Sequence, residues 1–408
     1  MAVKRRDIVF LCQYFYPETN SSATLPFDTA VHLSQKGYAV DALCGYPKEY
    51  CFSDNVGIRE TVKGVSIKRI RYLQLKRNSK PGRLINYASF TIAALFRVFG
   101  LRKYRAVVVY SNPPILPLVA LAAKALFKTR IIYVSYDVYP EIAYSSGSLN
   151  PGGIVSRSMD RVNASVCKKA SAVVALTDEM KQYLLDNRRT LEEDRTFVIP
   201  NWAHEGIHEQ KHIARELLGF KQDDFIVCYF GNLGVCQDIE TIKTAIALLK
   251  NEPNIKFLFA GHGSKLKDLK QYADGYENVR IVDYLTGDDF EKAVSAGSCG
   301  IVSLEKGLKG MCAPSKYYTC IQGGLPVIPI VEDGSYLADE VEREGIGKHV
   351  RIGDGQSLAL TLKQLSEDND RLEEMSHRAK TLYFDKYCMR RGMEKYERLL
   401  SKVLDDQK

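Results

Sequence analysis

The sequence predicts an α/β protein built on two doubly wound parallel sheets. Three observations carry this expectation. Short apolar runs without polar alternation recur along the chain, as strands buried on both faces require; Ile8–Cys12, Ala106–Tyr110 and Phe225–Tyr229 are examples. Stretches with helical spacing separate them, which is the rhythm of βαβ units. At 408 residues the chain is too long for one ordinary core, so two domains are expected.

The amino-terminal half opens with the strand Ile8–Cys12 and the polar loop Tyr14–Thr24. Thr24–Lys36 has helical spacing (Leu25, Ala30, Val31, Leu33) and is stopped by Gly37; Val40–Leu43 is the next strand. Such a start puts the first loop at the carboxyl edge of the sheet, where these folds bind ligands. Without a G-x-G-x-x-G fingerprint a dinucleotide is not expected there. Ser21, Ser22 and Thr24 either line a polar acceptor site or cap the helix.

Thr61–Arg105 holds twelve Lys and Arg and no acid. Two basic clusters, Lys68–Arg83 and Arg97–Arg105, flank the mostly apolar Leu84–Phe96, which is too short to span a bilayer. Three readings fit: a helix in the interface of an anionic leaflet, a core helix with a basic rim, or a nucleic-acid patch. No RNA-binding signature is present, and no nucleic-acid partner is expected. The membrane reading places Lys76, Arg77, Arg83, Phe90, Phe96, Arg97, Arg102 and Lys103 against lipid.

Ala106–Tyr110, Arg130–Ser135, Ser171–Leu176 and Phe197–Pro200 read as further strands, with helices at Leu116–Phe127 and Thr177–Leu185. Asp137 and Glu141, in Asp137-Val-Tyr-Pro-Glu141, follow a strand at the edge where catalytic groups lie; a helix N-cap is the alternative for Asp137. Pro200-Asn-Trp202 reads as the link between halves. His204, His208 and His212 fall four apart, but a glycine-containing connector without a carboxylate or cysteine partner makes a metal site unexpected. Asp368-Asn-Asp370 reads as solvated surface.

The second half repeats the pattern with strands Phe225–Tyr229, Lys256–Ala260, Val279–Val282 and Gly300–Ser303. Gly231-Asn-Leu-Gly234 and Gly261-His-Gly263 follow the first two and allow backbone N–H groups close to an anion. A helix is expected from Asp238, another at Phe290–Ala296 and an amphipathic one at Met389–Leu404. Met311–Ile328 organises the rest. It reads as a loop, a helix entered through Ala313-Pro-Ser315 with Ser315 able to cap, and a buried strand near a sheet edge. Lys316 at the helix start adds a full charge to free N–H groups, a place for a diphosphate; a solvated lysine on an ordinary turn is the alternative.

Composition is consistent with this plan. The chain is 45% apolar and 26% charged, without low-complexity tracts or detectable repeats. Residues 1–200 carry 29 Lys and Arg against 16 Asp and Glu, a balance of +13, whereas residues 201–408 carry 28 against 33, a balance of −5. The first half should therefore face something anionic. Ten cysteines without a C-x-x-C pair suit a reducing compartment. No signal peptide is expected, since Met1–Asp7 leads straight into a strand, and no run reaches the ~18 apolar residues of a spanning helix.

Taken together, Gln13-Tyr-Phe-Tyr-Pro-Glu18, Asp137–Glu141, Val198-Ile-Pro-Asn-Trp202, Tyr229–Asp238, Pro314-Ser-Lys316 and Gly324-Leu-Pro-Val327 resemble family 4 glycosyltransferases of the GT-B architecture. The likeness is greatest to bacterial enzymes of capsule, O-antigen and exopolysaccharide synthesis. It implies two Rossmann-like domains facing a cleft: an acceptor domain over residues 1–200, a nucleotide-sugar domain over 201–385, and a crossing helix over 386–408. It implies that Gly231–Gly234, with Asn232, and Lys316 hold the donor diphosphate, and Gly261, Gly263 and Ser315 are expected at the donor site as well. Asp283, Tyr284 and Leu285 would meet the base, and Glu305, Lys306 and Gly307 the sugar. Asp137 would face the reacting carbon.

The family's usual pair of glutamates is replaced by Met311 and Thr319, so the ribose contact falls to Thr319, another acid or the backbone. The resemblance further implies retention at the anomeric carbon. No metal or other cofactor is expected if the protein supplies the cations, and a lipid-diphosphate-linked saccharide acceptor, met at the cytoplasmic face of a membrane, would explain the basic first half and its clusters. A non-catalytic partner in a polysaccharide assembly and a nucleotide-sugar epimerase are the alternatives.

Overall fold

The structure, a computed structural model, describes residues 5–47, 51, 56–75, 80–145, 147–203 and 210–405. The chain divides into two compact units. Unit 1 comprises Met1–Pro200, Gly310–Ala313 and Gly392–Lys408, and unit 2 comprises Asn201–Lys309 and Pro314–Arg391.

Unit 1 holds strands β1 (Arg6–Cys12), β2 (Val40–Gly45), β3 (Arg59–Val62), β4 (Val65–Ile70), β5 (Tyr104–Tyr110), β6 (Arg130–Val134), β7 (Ala172–Ala175) and β8 (Thr196–Val198). Their order is β3-β4-β2-β1-β5-β6-β7-β8, parallel except for β3 against β4. Ile8 pairs with Val40 on one side and Ala106 on the other. The order of connection reverses at β1 and β5, so ligands should meet this unit beyond the carboxyl ends of those strands. The β3–β4 hairpin escapes the apolar-run reading because its strands alternate with polar residues. Its signal is Lys63-Gly64, both at positive φ (48° and 84°), as a two-residue hairpin turn requires.

Unit 2 holds β9 (Phe225–Asn232), β10 (Ile255–His262), β11 (Val279–Val282), β12 (Cys299–Ser303), β13 (Val327–Val331) and β14 (Val350–Arg351). Their order is β11-β10-β9-β12-β13-β14, all parallel, and the reversal falls between β9 and β12. The loops after these two strands, 233–238 and 304–309, therefore flank the expected binding position of this unit. Each sheet is packed on side chains that are almost fully buried, Val107 and Val109 in one and Val227 and Phe257 in the other.

Helix Met389–Asp405 ends in unit 1. Glu397 meets His32 at 2.6 Å, and the Leu404 carbonyl accepts from Arg105 at 2.7 Å and Arg130 at 3.1 Å. Cations at the carbonyl end of a helix are the favoured arrangement. Asp368 accepts from the Arg371 N–H and caps helix Asn369–Leu382, which accounts for the acidic Asp368-Asn-Asp370.

Candidate active site

Four loops of unit 2 leave the same edge of its sheet. β9 and β10 run in register to their ends, with Gly231 opposite Gly261. A Cβ on Gly261 would stand 1.9 Å from the Gly231 carbonyl oxygen, and one on Gly263 2.3 Å from that of Leu233. These glycines let the two strand ends touch. Gly231 differs: it sits at φ +82° with open space where a Cβ would go. Gly261→Ala should therefore destabilise the fold by about 2–3 kcal/mol through overlap. Gly231→Ala should cost about 1 kcal/mol through backbone conformation alone. Urea midpoints of the two variants measure the difference.

The loop amides depart from expectation. The Leu233 N–H donates to the His262 carbonyl at 2.6 Å, and the Gly234 N–H donates to Gln237 Oε1 at 2.8 Å. Both are committed to holding the loop, so Gly231–Gly234 is not the amide cradle the sequence suggested. The Val235 and Ser315 N–H groups take no partner among the described residues.

Lys316 lies in the first turn of helix Ser315–Gln322. It is 9% exposed, so it is not a solvated surface lysine. Its ammonium donates to the Asn232 carbonyl at 3.3 Å and stands 4.9 Å from the centroid of the Tyr229 ring. Pro314, not Ser315, occupies the cap position, and no side chain caps the turn. Ser315 is exposed, and Thr319 lies three residues from Lys316 on the same face of the helix.

Glu305 follows β12. Its N–H donates to the Cys236 carbonyl at 2.9 Å, tying the 304–309 loop to the 233–238 loop. Its carboxylate receives Lys265 at 2.5 Å, and Lys265 also donates to the Gln237 carbonyl at 2.6 Å. Lys265 escaped the sequence reading; a lysine two residues beyond Gly261-His-Gly263 was the available signal. The Gly307 N–H donates to Glu332 at 2.8 Å, and Lys306 is exposed. Asp283 is exposed and pairs with Lys270 at 3.2 Å. Tyr284 meets the His262 ring edge-on at 5.0 Å, and Leu285 is half-buried.

In unit 1, Asp137 follows β6, beside the reversal point. The Ser111 hydroxyl accepts its N–H at 3.1 Å, and its carbonyl accepts from the Ser135 hydroxyl at 3.3 Å. Asp137 also forms a β-bridge with Cys312, and the Val138 N–H donates to the Met311 carbonyl at 2.8 Å. Helix Glu141–Ser145 starts four residues later, so Asp137 is no helix cap. Its carboxylate has no hydrogen-bond or ion-pair partner among the described residues. Burial pushes its pKa up to about 6. A half-buried carboxylate on a fixed backbone is how a reacting group is commonly held.

Several expected site residues do other work. Glu141 is gripped by Arg188 through both oxygens at 2.7 and 2.8 Å, and Arg188 also donates to the Tyr139 carbonyl. A buried guanidinium thus engages both Glu141 oxygens and fixes the side chain. Ser21, Ser22 and Thr24 lie in the first turn of helix Ser21–Gln35, which starts earlier than the sequence suggested. None supplies a cap hydrogen bond, and Ser21 is exposed.

The basic region divides. Phe90 is fully buried against Tyr72, ring centroids 5.3 Å apart, so it faces the core and not lipid. Arg69 is also buried, holding the Gly57 and Tyr16 carbonyls and Glu60. Arg97 caps its own helix by donating to the Ala93 carbonyl at 2.7 Å. Phe96 is 82% and Phe99 66% exposed, with Ile85, Ile92 and Leu126 exposed as well. Arg102 and Lys103 are exposed, and Arg83 is half-buried. Lys76, Arg77, His204 and His208 lie outside the described residues; His212 is exposed on helix Lys211–Leu217. Among the described residues no helix is long and apolar enough to cross a membrane.

Residues 27–202 match the glycosyl transferase 4-like domain. That match spans 176 of the 408 residues. The chain's fold is GT-B, with two α/β domains on parallel sheets. A probable glycosyltransferase from Pseudomonas aeruginosa, WbjE, is 26% identical to this chain over 265 residues. That alignment covers 63% of the chain and 65% of WbjE. WcaI of Escherichia coli K12, a putative colanic acid biosynthesis glycosyl transferase, is 23% identical over 62% of the chain and 64% of its own length. The chain thus spans just under two thirds of the curated relatives it matches. Anabaena HepE, solved in complex with UDP-glucose, superposes with a TM-score of 0.69 at 16% identity, covering 97% of this chain and 99% of that one.

Proposed function

We propose that the protein transfers a sugar from a nucleotide diphosphate sugar, held by unit 2, to a saccharide acceptor met by unit 1, in bacterial surface polysaccharide synthesis. The observation that carries the donor half is Lys316, a nearly buried ammonium beyond the reversal point of the sheet, at the start of a helix without a side-chain cap. The difficult step breaks a sugar–phosphate bond while negative charge grows on the leaving diphosphate. Lys316, with the Ser315 and Val235 N–H groups, would stabilise that charge without a divalent ion. Thr319 would reach the ribose, and Glu305, held by Lys265, would receive sugar hydroxyls.

Asp137 would orient the acceptor or steady an oxocarbenium-like state, with retention of anomeric configuration. The names of the relatives support a polysaccharide product, and the HepE complex supports a UDP-type donor. The test is a panel of nucleotide sugars in a thermal-shift measurement. A donor at about 100 times its dissociation constant adds ~2.7 kcal/mol of stability, and one member of the panel is expected to do so. No shift with any member would remove the donor reading.

The acceptor is proposed to be lipid-linked, reached from the inner face of the membrane. The exposed Phe96 and Phe99, beside Arg102 and Lys103, support peripheral docking to an anionic surface. Phe96→Ser with Phe99→Ser should weaken partition to anionic vesicles roughly tenfold or more, as lost burial of two rings implies. Hydrolysis of a soluble donor should not change. Unaltered vesicle binding would count against the docking.

A further inference from the structure

Behind the Lys316 helix lies a buried cluster that the transfer chemistry does not use. Glu340, 3% exposed, accepts the Tyr317 hydroxyl at 2.7 Å and the Tyr387 hydroxyl at 2.6 and 2.7 Å. Lys386 donates to it as well, and Arg343 stands 3.6 Å away. The rings of Tyr317, Tyr318 and Tyr387 pack edge-on, centroids 5.3–5.9 Å apart. Four residues before Tyr387, Tyr383 sends its hydroxyl to the Ala203 carbonyl at 3.1 Å. Ala203 belongs to the segment by which the chain enters unit 2, and Arg391, four residues after Tyr387, is where the chain leaves it. Inside one unit a path thus runs along the chain from Lys316 to Tyr317, by hydrogen bonds through Glu340 to Tyr387, along the chain back to Tyr383 and by its hydroxyl to Ala203.

The helix at the head of this set is fitted too tightly to bend. A Cβ on Gly300 would stand 2.3 Å from Cys320 Sγ, and one on Gly323 would stand 2.3 Å from a Val294 methyl. A close-packed element moves as a body or not at all. An arriving diphosphate has to draw the Lys316 ammonium from the Asn232 carbonyl, and the Tyr317 hydroxyl travels with the same helix. Glu340 shares its oxygens between the Tyr317 and Tyr387 hydroxyls, so movement of the first changes its hold on the second.

We propose that the Glu340–tyrosine cluster is a positioning device that couples diphosphate occupancy at Lys316 to the entry segment at Ala203. This rests on the donor reading above. Trp202, the chain's one tryptophan, adjoins Ala203 and is buried, so it reports on that segment.

The test uses the full chain with UDP, GDP, ADP and dTDP, binding measured by calorimetry and Trp202 by its emission. In the wild type the diphosphate that binds should shift the emission. Tyr387→Phe and Tyr383→Phe should each keep the dissociation constant within about threefold and lose at least half of the emission change. Tyr272→Phe, whose hydroxyl donates to the Lys243 carbonyl at 3.0 Å outside the cluster, should keep the full response. A diphosphate that binds without altering Trp202 overturns the coupling alone. So does a response that survives in both cluster variants; should one of them fail to fold, the other decides. If none of the four binds the wild type, the donor reading falls and takes the coupling with it.

Discussion

Lys316→Ala should lower sugar transfer by two to three orders of magnitude while the protein keeps its fold. The size follows from the position. Lys316 is nearly buried, so its charge acts in a poorly screened environment, where one preorganised donor aimed at developing negative charge contributes about 3–4 kcal/mol. The fold should survive because the helix is held from behind by Tyr317 and Tyr318, both almost fully buried, and by the Glu340 hydrogen bonds. Release of nucleoside diphosphate by wild type and variant, with thermal melting as control, measures it. Equal rates would favour a non-catalytic partner of a polysaccharide assembly, in which Lys316 has no transition state to stabilise.

Asp137→Asn should lose transfer and gain stability at neutral pH. The folded carboxyl titrates at about 6, above its ordinary 3.8, because burial disfavours the charged form. Below about pH 3 both folded and unfolded chains carry the proton, and the group costs nothing. Between pH 4 and 6 the unfolded carboxyl ionises first, so wild-type stability falls as pH rises. Above pH 6 the full penalty persists, on the order of 2 kcal/mol. The asparagine variant escapes it: its melting temperature should match wild type at about pH 3 and exceed it at pH 7.5. Wild-type transfer should rise through pH 6 as the carboxylate forms, and the variant should stay low and flat. A variant no more stable at pH 7.5 would mean that the carboxylate is solvated.

The main strands were legible because parallel strands buried on both faces leave uninterrupted apolar runs, as in β1, β5 and β9. The helix-start position of Lys316 was legible because Pro314 before it and Gly323-Gly324 after it mark the ends of a short helix. What escaped depends on residues far apart in the chain. The bridge between Asp137 and Cys312 is made by backbone, which leaves no side-chain signature. Glu141 looked free because its partner, Arg188, is 47 residues away. Phe90 and Phe96 were grouped by composition, yet six residues on a helix turn a side chain by about 240°, and only Phe96 faces outward. The commitment of the Leu233 and Gly234 amides to His262 and Gln237 was hidden for the same reason as Glu141: loop hydrogen bonds are settled by tertiary neighbours.

A crystal structure with the tightest-binding nucleoside diphosphate tests the account most directly. It should place a phosphate oxygen within hydrogen-bond reach of the Lys316 ammonium, with that ammonium moved off the Asn232 carbonyl. A diphosphate bound elsewhere on the chain, or held through a divalent ion with no contact to Lys316, would contradict it.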